Sequence, residues 1–248
     1  VGEVILQQAR KILHSASQVR ELIDSRKESA IGNVRLGISS SVAPFVAPKL
    51  LKFLTVNHPK ICLTLSDDLS PNLLKKLGTN EIDIALTSYP NSDPDYLTIP
   101  LYRERFVAYI SQFDPLHKRR SINQKQLSCG RLWILHDGFP LKSTPETPQS
   151  IQTINTSYAS AHIETLLNII DENGGFTIIP ESQIPFLSKE RKKHVRVFSF
   201  PEPFREVSFV IKNDFVRQKI LNILADAIKS FVPPEMINEH LKNFSIRL

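Results

Sequence analysis

A chain of 248 residues, 41% hydrophobic and 23% charged, has the make-up of a globular protein that can form one large domain or two small ones. Two isolated cysteines, Cys62 and Cys129, exclude a disulfide-stapled secreted scaffold and offer no metal-ligand spacing, so neither metal nor cofactor is expected. The formal charge of +6 mildly favours an anionic partner but is spread too evenly to imply nucleic-acid binding by itself.

Residues 1–27 open the chain with Ile5, Ala9, Ile12, Ala16, Val19 and Ile23 in alternating steps of four and three, the seam of a coiled coil. Gln7, Gln8, Arg10, Lys11, Gln18, Arg20 and Glu21 lie on its polar face. The helix can pair with a second copy, giving a homodimer or homotetramer, or pack on its own domain. Ser29-Ala30-Ile31-Gly32 ends it.

Strands and helices then alternate. Asn33–Ile38 reads as a buried strand and Val42–Phe53 as a helix, with Pro44 tolerated in the first turn and Pro48 a possible kink. Ile61–Leu65 is a strand, Pro71–Leu77 a short helix closed by Gly78, and Ile82–Leu86 a strand; Leu97–Ile110 holds one or two more. The polar segment Ser111–Ser121 leads to a second unit. Arg131–Leu135 and Ile151–Asn155 are strands there, separated by loop-like residues 137–150 with Gly138, Pro140, Pro145 and Pro148. Ala161–Glu172 is a helix closed by Asn173-Gly174-Gly175, and Phe176–Ile179 a strand, after which Pro180 opens a short helix. Val195–Phe200 and Glu206–Ile211 are strands, Asp214–Phe231 a strong helix ended by Pro233-Pro234, and Glu235–Leu248 a short helix with an extended end. The basic runs at 117–120 and 189–194 lack aromatic interleaving and read as solvated loops.

This alternation predicts an α/β protein with mostly parallel sheet covered on both faces. The expected division is a linker and dimerisation helix at 1–31, one lobe at 32–108 plus 209–232, a second at 109–208, and a tail at 233–248. Return of the last helix to the first lobe would give two chain crossings and a hinged cleft. Open α/β sheets bind ligands beyond the carboxyl ends of their strands, so the cleft is the expected site.

The order and spacing of several segments resemble the regulatory part of LysR-type transcriptional regulators over nearly the full length. They are Gly32-Asn33-Val34-Arg35-Leu36-Gly37, His58-Pro59, Gly78 to Leu86, and Glu164-Thr165-Leu166 through Gly174-Gly175-Phe176-Thr177-Ile178-Ile179-Pro180. Val1 to Leu13 looks like that family's linker-helix start. Leu135-His136-Asp137-Gly138, Glu164 to Asn168, and Phe200-Pro201-Glu202-Pro203-Phe204-Arg205 are most similar to its peroxide-sensing OxyR branch. The chain departs from that branch where a reactive cysteine is needed. Pro140 stands at the peroxidatic position, and no cysteine lies near Gln149 for the resolving role. Cys62, in an apolar strand, reads as inert core, and Cys129 sits at a loop edge.

The resemblance implies two Rossmann-like lobes in the type II periplasmic-binding-protein arrangement, assembly as dimers or tetramers, and a small-molecule effector. It also implies a winged helix-turn-helix absent from this chain, through which promoter DNA would be bound. The sequence starts at Val1, not Met, and is read as a piece lacking its N-terminal part. No run approaches the roughly 18 apolar residues of a membrane span and no signal peptide is visible, so a cytoplasmic protein without a membrane partner is expected.

Ser39, Ser40 and Ser41 follow the first strand, where free backbone N–H groups attract anions and hydroxyls add donors. One of them can instead simply cap the helix. By the resemblance, Ser41 is joined as ligand contact by Ser70 and Ser88, and from the second lobe by Phe139, Pro140, Tyr158 and His162, although His162 can equally be a surface or capping histidine. This hydroxyl-rich set without a fixed arginine suits a small polar or weakly anionic ligand. Three other functions stay open: a stand-alone solute-binding protein, a ligand-independent regulator whose 138–148 loop fills the cleft, and a redox regulator. An enzyme is not expected, because no nucleophile elbow, phosphate loop, dinucleotide fingerprint or zinc-protease motif occurs and adjacent Asp67 and Asp68 make a poor acid–base pair.

Overall fold

The computed structural model describes residues 2, 5, 9, 12, 32–89, 91–123, 126, 131–135, 159–160, 162–200 and 202–237. Gly2, Ile5, Ala9 and Ile12 are helical and exposed, Ile5 to 62% and Ile12 to 69%. The rest of the expected helix over 1–27 lies outside the described residues. The chain divides into two compact units, Val1–Tyr102 with Glu206–Leu248, and Arg103–Arg205.

The first unit is built on β1 (Gly32–Ser39), α1 (Ala43–Asn57), β2 (Ile61–Asp68), α2 (Ser70–Gly78), β3 (Ile84–Thr87) and the start of β4 (Tyr96–Ile110). It is completed by the end of β10 (Phe204–Lys212) and by α5 (Gln218–Phe231). β1 lies between β2 and β3 and is parallel to both, with Leu36 beside Leu65 and Ile84; β10 runs antiparallel to β3. Alternation sorts the side chains by face. Val34, Leu36, Ile38, Ile84, Leu86, Val207, Phe209 and Ile211 pack under α1 and α5. Ala85 and Val210 face the other way, onto Leu73 and Leu77 of α2 and Ile82. The apolar stripes of α1 (Phe45, Val46, Leu50, Leu54) and α5 (Ile220, Leu221, Leu224, Ile228) close the first core, and Phe45 meets Phe231 edge-on at 6.1 Å. Gly37 lets α2 approach closely, since a Cβ there would come within 2.7 Å of Leu73 and Ile82.

The second unit comprises the rest of β4, a 3-10 turn at Pro115–Lys118, β5 (Ser121–Ile122), β6 (Ile134–Leu135), β7 (Ala159–Ser160), α3 (Ile163–Asn173), β8 (Phe176–Pro180), a 3-10 turn at Glu181–Phe186, α4 (Lys189–Lys192), β9 (Val195–Phe198) and the start of β10. β4 is antiparallel to both β8 and β9, β5 is parallel to β9, and β6 is parallel to β7. Val107, Tyr109 and Ile179 pack on Leu166, Leu167 and Ile170 of α3, while Phe106, Ala108, Ile110 and Ile178 fill the opposite face. Where the crossing strands lie in this unit, Arg205 and Glu104 form a buried ion pair at 2.6 Å.

Several expectations need correction. Of the one or two strands expected over Leu97–Ile110, there is one, Tyr96–Ile110. The sheet is mixed, not mostly parallel, because β4 carries the chain out of the first unit and β10 carries it back in the opposite direction. The last helix begins at Gln218, four residues later than Asp214, because residues 213 and 214 turn the chain and Phe215 N–H closes on the Lys212 carbonyl. Cys62 is exposed. It sits on β2, which ends the strand order of the first unit, and it projects opposite to Ile61 and Leu63. Cys129 and the expected strand Ile151–Asn155 lie outside the described residues.

Candidate functional site

The parallel strands β1, β2 and β3 end side by side. Ser39 is in register with Asp68, and the pairing of Ile38 with Leu86 makes Thr87 its next neighbour on the other side. Residues in register project to the same face of a sheet. Asp68, Ser39 and Thr87 therefore form one polar row, on the face that α2 covers. α2 starts above this row at Ser70, whose Oγ accepts the Thr87 hydroxyl at 2.7 Å. The Thr87 oxygen in turn accepts Tyr89 N–H at 3.0 Å.

Asp68 fastens the amino end of α2. Its Oδ1 accepts Leu69 N–H at 2.7 Å and Asn72 Nδ2 at 2.8 Å, and its Oδ2 lies 2.7 Å from Lys76 Nζ. Hydrogen bonds from Lys76 and Asn72 hold its carboxyl below the usual carboxylate range despite some desolvation. The carboxylate is therefore ionised at neutral pH and already balanced by Lys76. Its neighbour Ser39 is fully buried, and its hydroxyl has no hydrogen-bond partner.

Sequence reasoning brings Ser39, Ser40, Ser41, Ser70 and Ser88 to this edge. Ser41 and Ser70 are fully buried, while Ser40 and Ser88 are partly exposed. Several backbone N–H groups of the expected row are already used within the chain. Ser40 N–H goes to the Asp68 carbonyl at 3.1 Å and Val42 N–H to the Ser39 carbonyl at 2.8 Å. Phe45 and Val46 N–H both close on the Val42 carbonyl, and Pro44 has no N–H. Nor does a serine hold the cap of α1: that position is Val42, and no side chain caps it.

His162 occupies the cap position of α3, exposed, with its carbonyl accepting Leu166 N–H at 3.3 Å. Phe139, Pro140 and Tyr158 lie outside the described residues. Sequence reasoning missed Asp68 and Thr87. The signal for Thr87 was a polar residue directly after the apolar run Ile84–Leu86. For Asp68 it was an Asp preceding Leu69-Ser70-Pro71, a helix start. Among the described residues no group of three or more His, Cys, Asp or Glu side chains could hold a metal ion, and no helix is long and apolar enough to cross a membrane.

The fold is that of a bilobal α/β regulatory domain. The chain belongs to the LysR family, its residues 27–232 matching the LysR substrate binding domain. It is 24% identical over 234 residues to a hydrogen peroxide-inducible genes activator of Pectobacterium carotovorum subsp. carotovorum, covering 92% of this chain and 76% of that protein. It is 23% identical to the DNA-binding transcriptional dual regulator OxyR of Escherichia coli K12, with the same coverage. Among solved structures, full-length OxyR from Pseudomonas aeruginosa in a cysteine-to-aspartate variant superposes with TM-score 0.74 at 28% identity, covering 92% of this chain and 77% of that one. OxyR from Porphyromonas gingivalis matches with TM-score 0.77 at 24% identity over 84% of this chain and 96% of that one, a likeness of fold. The chain is thus the regulatory, effector-binding domain of a LysR-type regulator, in a non-enzymatic family, and is OxyR-like in sequence and fold.

Proposed function

We propose that this chain senses a small effector at the carboxyl edge of β1, β2 and β3, and passes that signal to promoter DNA through a winged helix-turn-helix outside it. The observation that carries the reading is the unpaired hydroxyl of the fully buried Ser39, between Asp68 and Thr87 in the polar row. Buried polar groups are ordinarily paired, so a buried hydroxyl with no partner supports a ligand-binding role for this edge. Ser41, Ser70 and Ser88 would add contacts from the same edge. Phe139, Pro140, Tyr158 and His162 would join from the second unit in an interlobe cleft.

Effector binding would bias two conformations and re-space paired DNA-binding heads, which takes a few kcal/mol of differential affinity. The helix over 1–31 would hold the homodimer or homotetramer, and the exposed seam residues Ile5, Ala9 and Ile12 support such pairing. The proposed working compartment is the cytoplasm. Among the described residues the one cysteine, Cys62, gives no support to a thiol-based peroxide response at this edge. Cys62 lies six positions along β2 from Asp68, about 20 Å at ~3.3 Å per residue.

The test uses the full-length gene product on its own promoter, titrated with a small-molecule extract of its own cells. The parent protein should change its footprint with extract, and Ser41→Tyr should not. An unchanged response in Ser41→Tyr overturns the reading.

A further inference from the structure

We infer that this edge selects an uncharged ligand, bound through a hydroxyl, amide or similar group to the Ser39 hydroxyl, and rejects anions of the same size. The inference rests on the effector-site reading above and adds the ligand's chemical class.

Anion sites at strand–helix junctions work through uncommitted backbone N–H groups at the positive end of the helix dipole. Here those of Ser40, Val42, Phe45 and Val46 are bonded to carbonyls of the chain itself and Pro44 has none, which leaves Ala43 as the first-turn N–H of α1 that no backbone carbonyl of the described residues accepts, too little for an anion cradle. The ammonium in reach of the row, Lys76, is bonded to Asp68 at 2.7 Å. An anion beside Ser39 would sit one strand, about 4.8 Å, from the ionised Asp68 carboxylate. It would meet that charge with its counter-ion, Lys76, already committed to Asp68.

The hydroxyls point the same way. Thr87 uses its proton on Ser70 and its lone pair on Tyr89 N–H. In the row of Asp68, Ser39 and Thr87, Ser39 keeps both a donor and an acceptor without a partner. A neutral amide or alcohol can satisfy both roles at once. A carboxylate or phosphate accepts only, and brings a charge that Lys76, bonded to Asp68, is not free to balance. The full burial of Ser39 limits the guest to a small group.

The test is an amide-resolved NMR titration of the whole chain at constant ionic strength. Acetamide and glycerol serve as uncharged probes, acetate and inorganic phosphate as anions. Acetamide should shift the amides of Ser39–Ser41 and Thr87–Tyr89 saturably, with acetate and phosphate leaving them unmoved. Ser39→Ala should weaken the acetamide response at least about tenfold, the loss of a hydrogen bond to a buried site. If Ser39→Ala does not fold, Ser39→Thr and Ser39→Val separate hydroxyl from volume: Thr should keep the response and Val lose it. Saturable shifts from acetate or phosphate as strong as those from acetamide overturn the inference and leave the effector site standing. An equal acetamide response in Ser39→Ala or Ser39→Val overturns it as well. Silence from all four probes overturns both the inference and the site.

Discussion

Asp83 shows how a single residue binds separate elements together. Its carboxylate accepts Arg35 N–H at 2.8 Å and the Arg35 guanidinium at 2.6 Å, and lies 3.0 Å from Arg217 Nη2. It thus ties β1, the approach to β3 and the start of α5. Burial pulls its pKa upward, but the bonds from Arg35 and the charge of Arg217 outweigh burial and hold it below the ordinary carboxylate value. A carboxyl depressed in the folded state binds fewer protons there than in the unfolded chain. Its stabilisation is therefore present above the unfolded pKa of about 3.9 and is lost as pH falls through the folded value. Asp83→Asn should lower stability by about 2 kcal/mol at pH 7. It should also flatten the fall of the urea midpoint between pH 5 and 3; equal slopes in both proteins would contradict this account. At this scale the sequence showed the serines but not their states. Asp83 and Arg35 are 48 positions apart, and Ser39 and Thr87 lie on different strands, so each juxtaposition exists only once the sheet has formed.

Among the elements, two glycines separate local from tertiary constraint. Gly175 has φ +88°, and a Cβ on it would lie 2.5 Å from the Arg131 carbonyl oxygen. Backbone cannot give way there, and the conformation disfavours any side chain. Gly37 has ordinary φ, and its added Cβ would meet only the methyl ends of Leu73 and Ile82. Gly175→Ala should cost at least about 2 kcal/mol and Gly37→Ala about 1 kcal/mol. Paired thermal melts check the order, and a larger loss for Gly37→Ala would reverse the argument. The Asn173-Gly174-Gly175 stop was legible because helix ends carry local chemistry, and α1, α2 and α3 were legible from their apolar stripes. The full length of β4 and the late start of α5 were not. A strand that changes neighbours midway looks like two strands in sequence, and a turn held by one carbonyl looks like the first turn of a helix.

On the scale of the whole molecule, pairing through the opening helix is the consequence open to a direct test. Ile5 and Ile12 are exposed in the single chain although they occupy the apolar seam. Burying such residues against a second copy removes them from water. Ile12→Asp should raise the dissociation constant for self-association about tenfold or more, read by sedimentation equilibrium. A parent chain that is monomeric at all concentrations would remove the helix from the assembly.

The class of this chain is legible without coordinates, in the alternation of strands and helices, the family's ordered landmarks, and a serine-rich junction after β1. These are local patterns, and period, caps and turn chemistry act over a few residues. Strand pairing across the chain, by contrast, is what makes the sheet mixed through β4 and β10, turns Cys62 outward and, with the turn after β1, uses up the N–H groups of Ser40, Val42, Phe45 and Val46. It alone brought Asp68 and Thr87 beside Ser39 and left that hydroxyl unpaired. Those outcomes depend on which strand lies next to which, a choice settled by cooperative burial of both faces of the sheet rather than by any short stretch of chain.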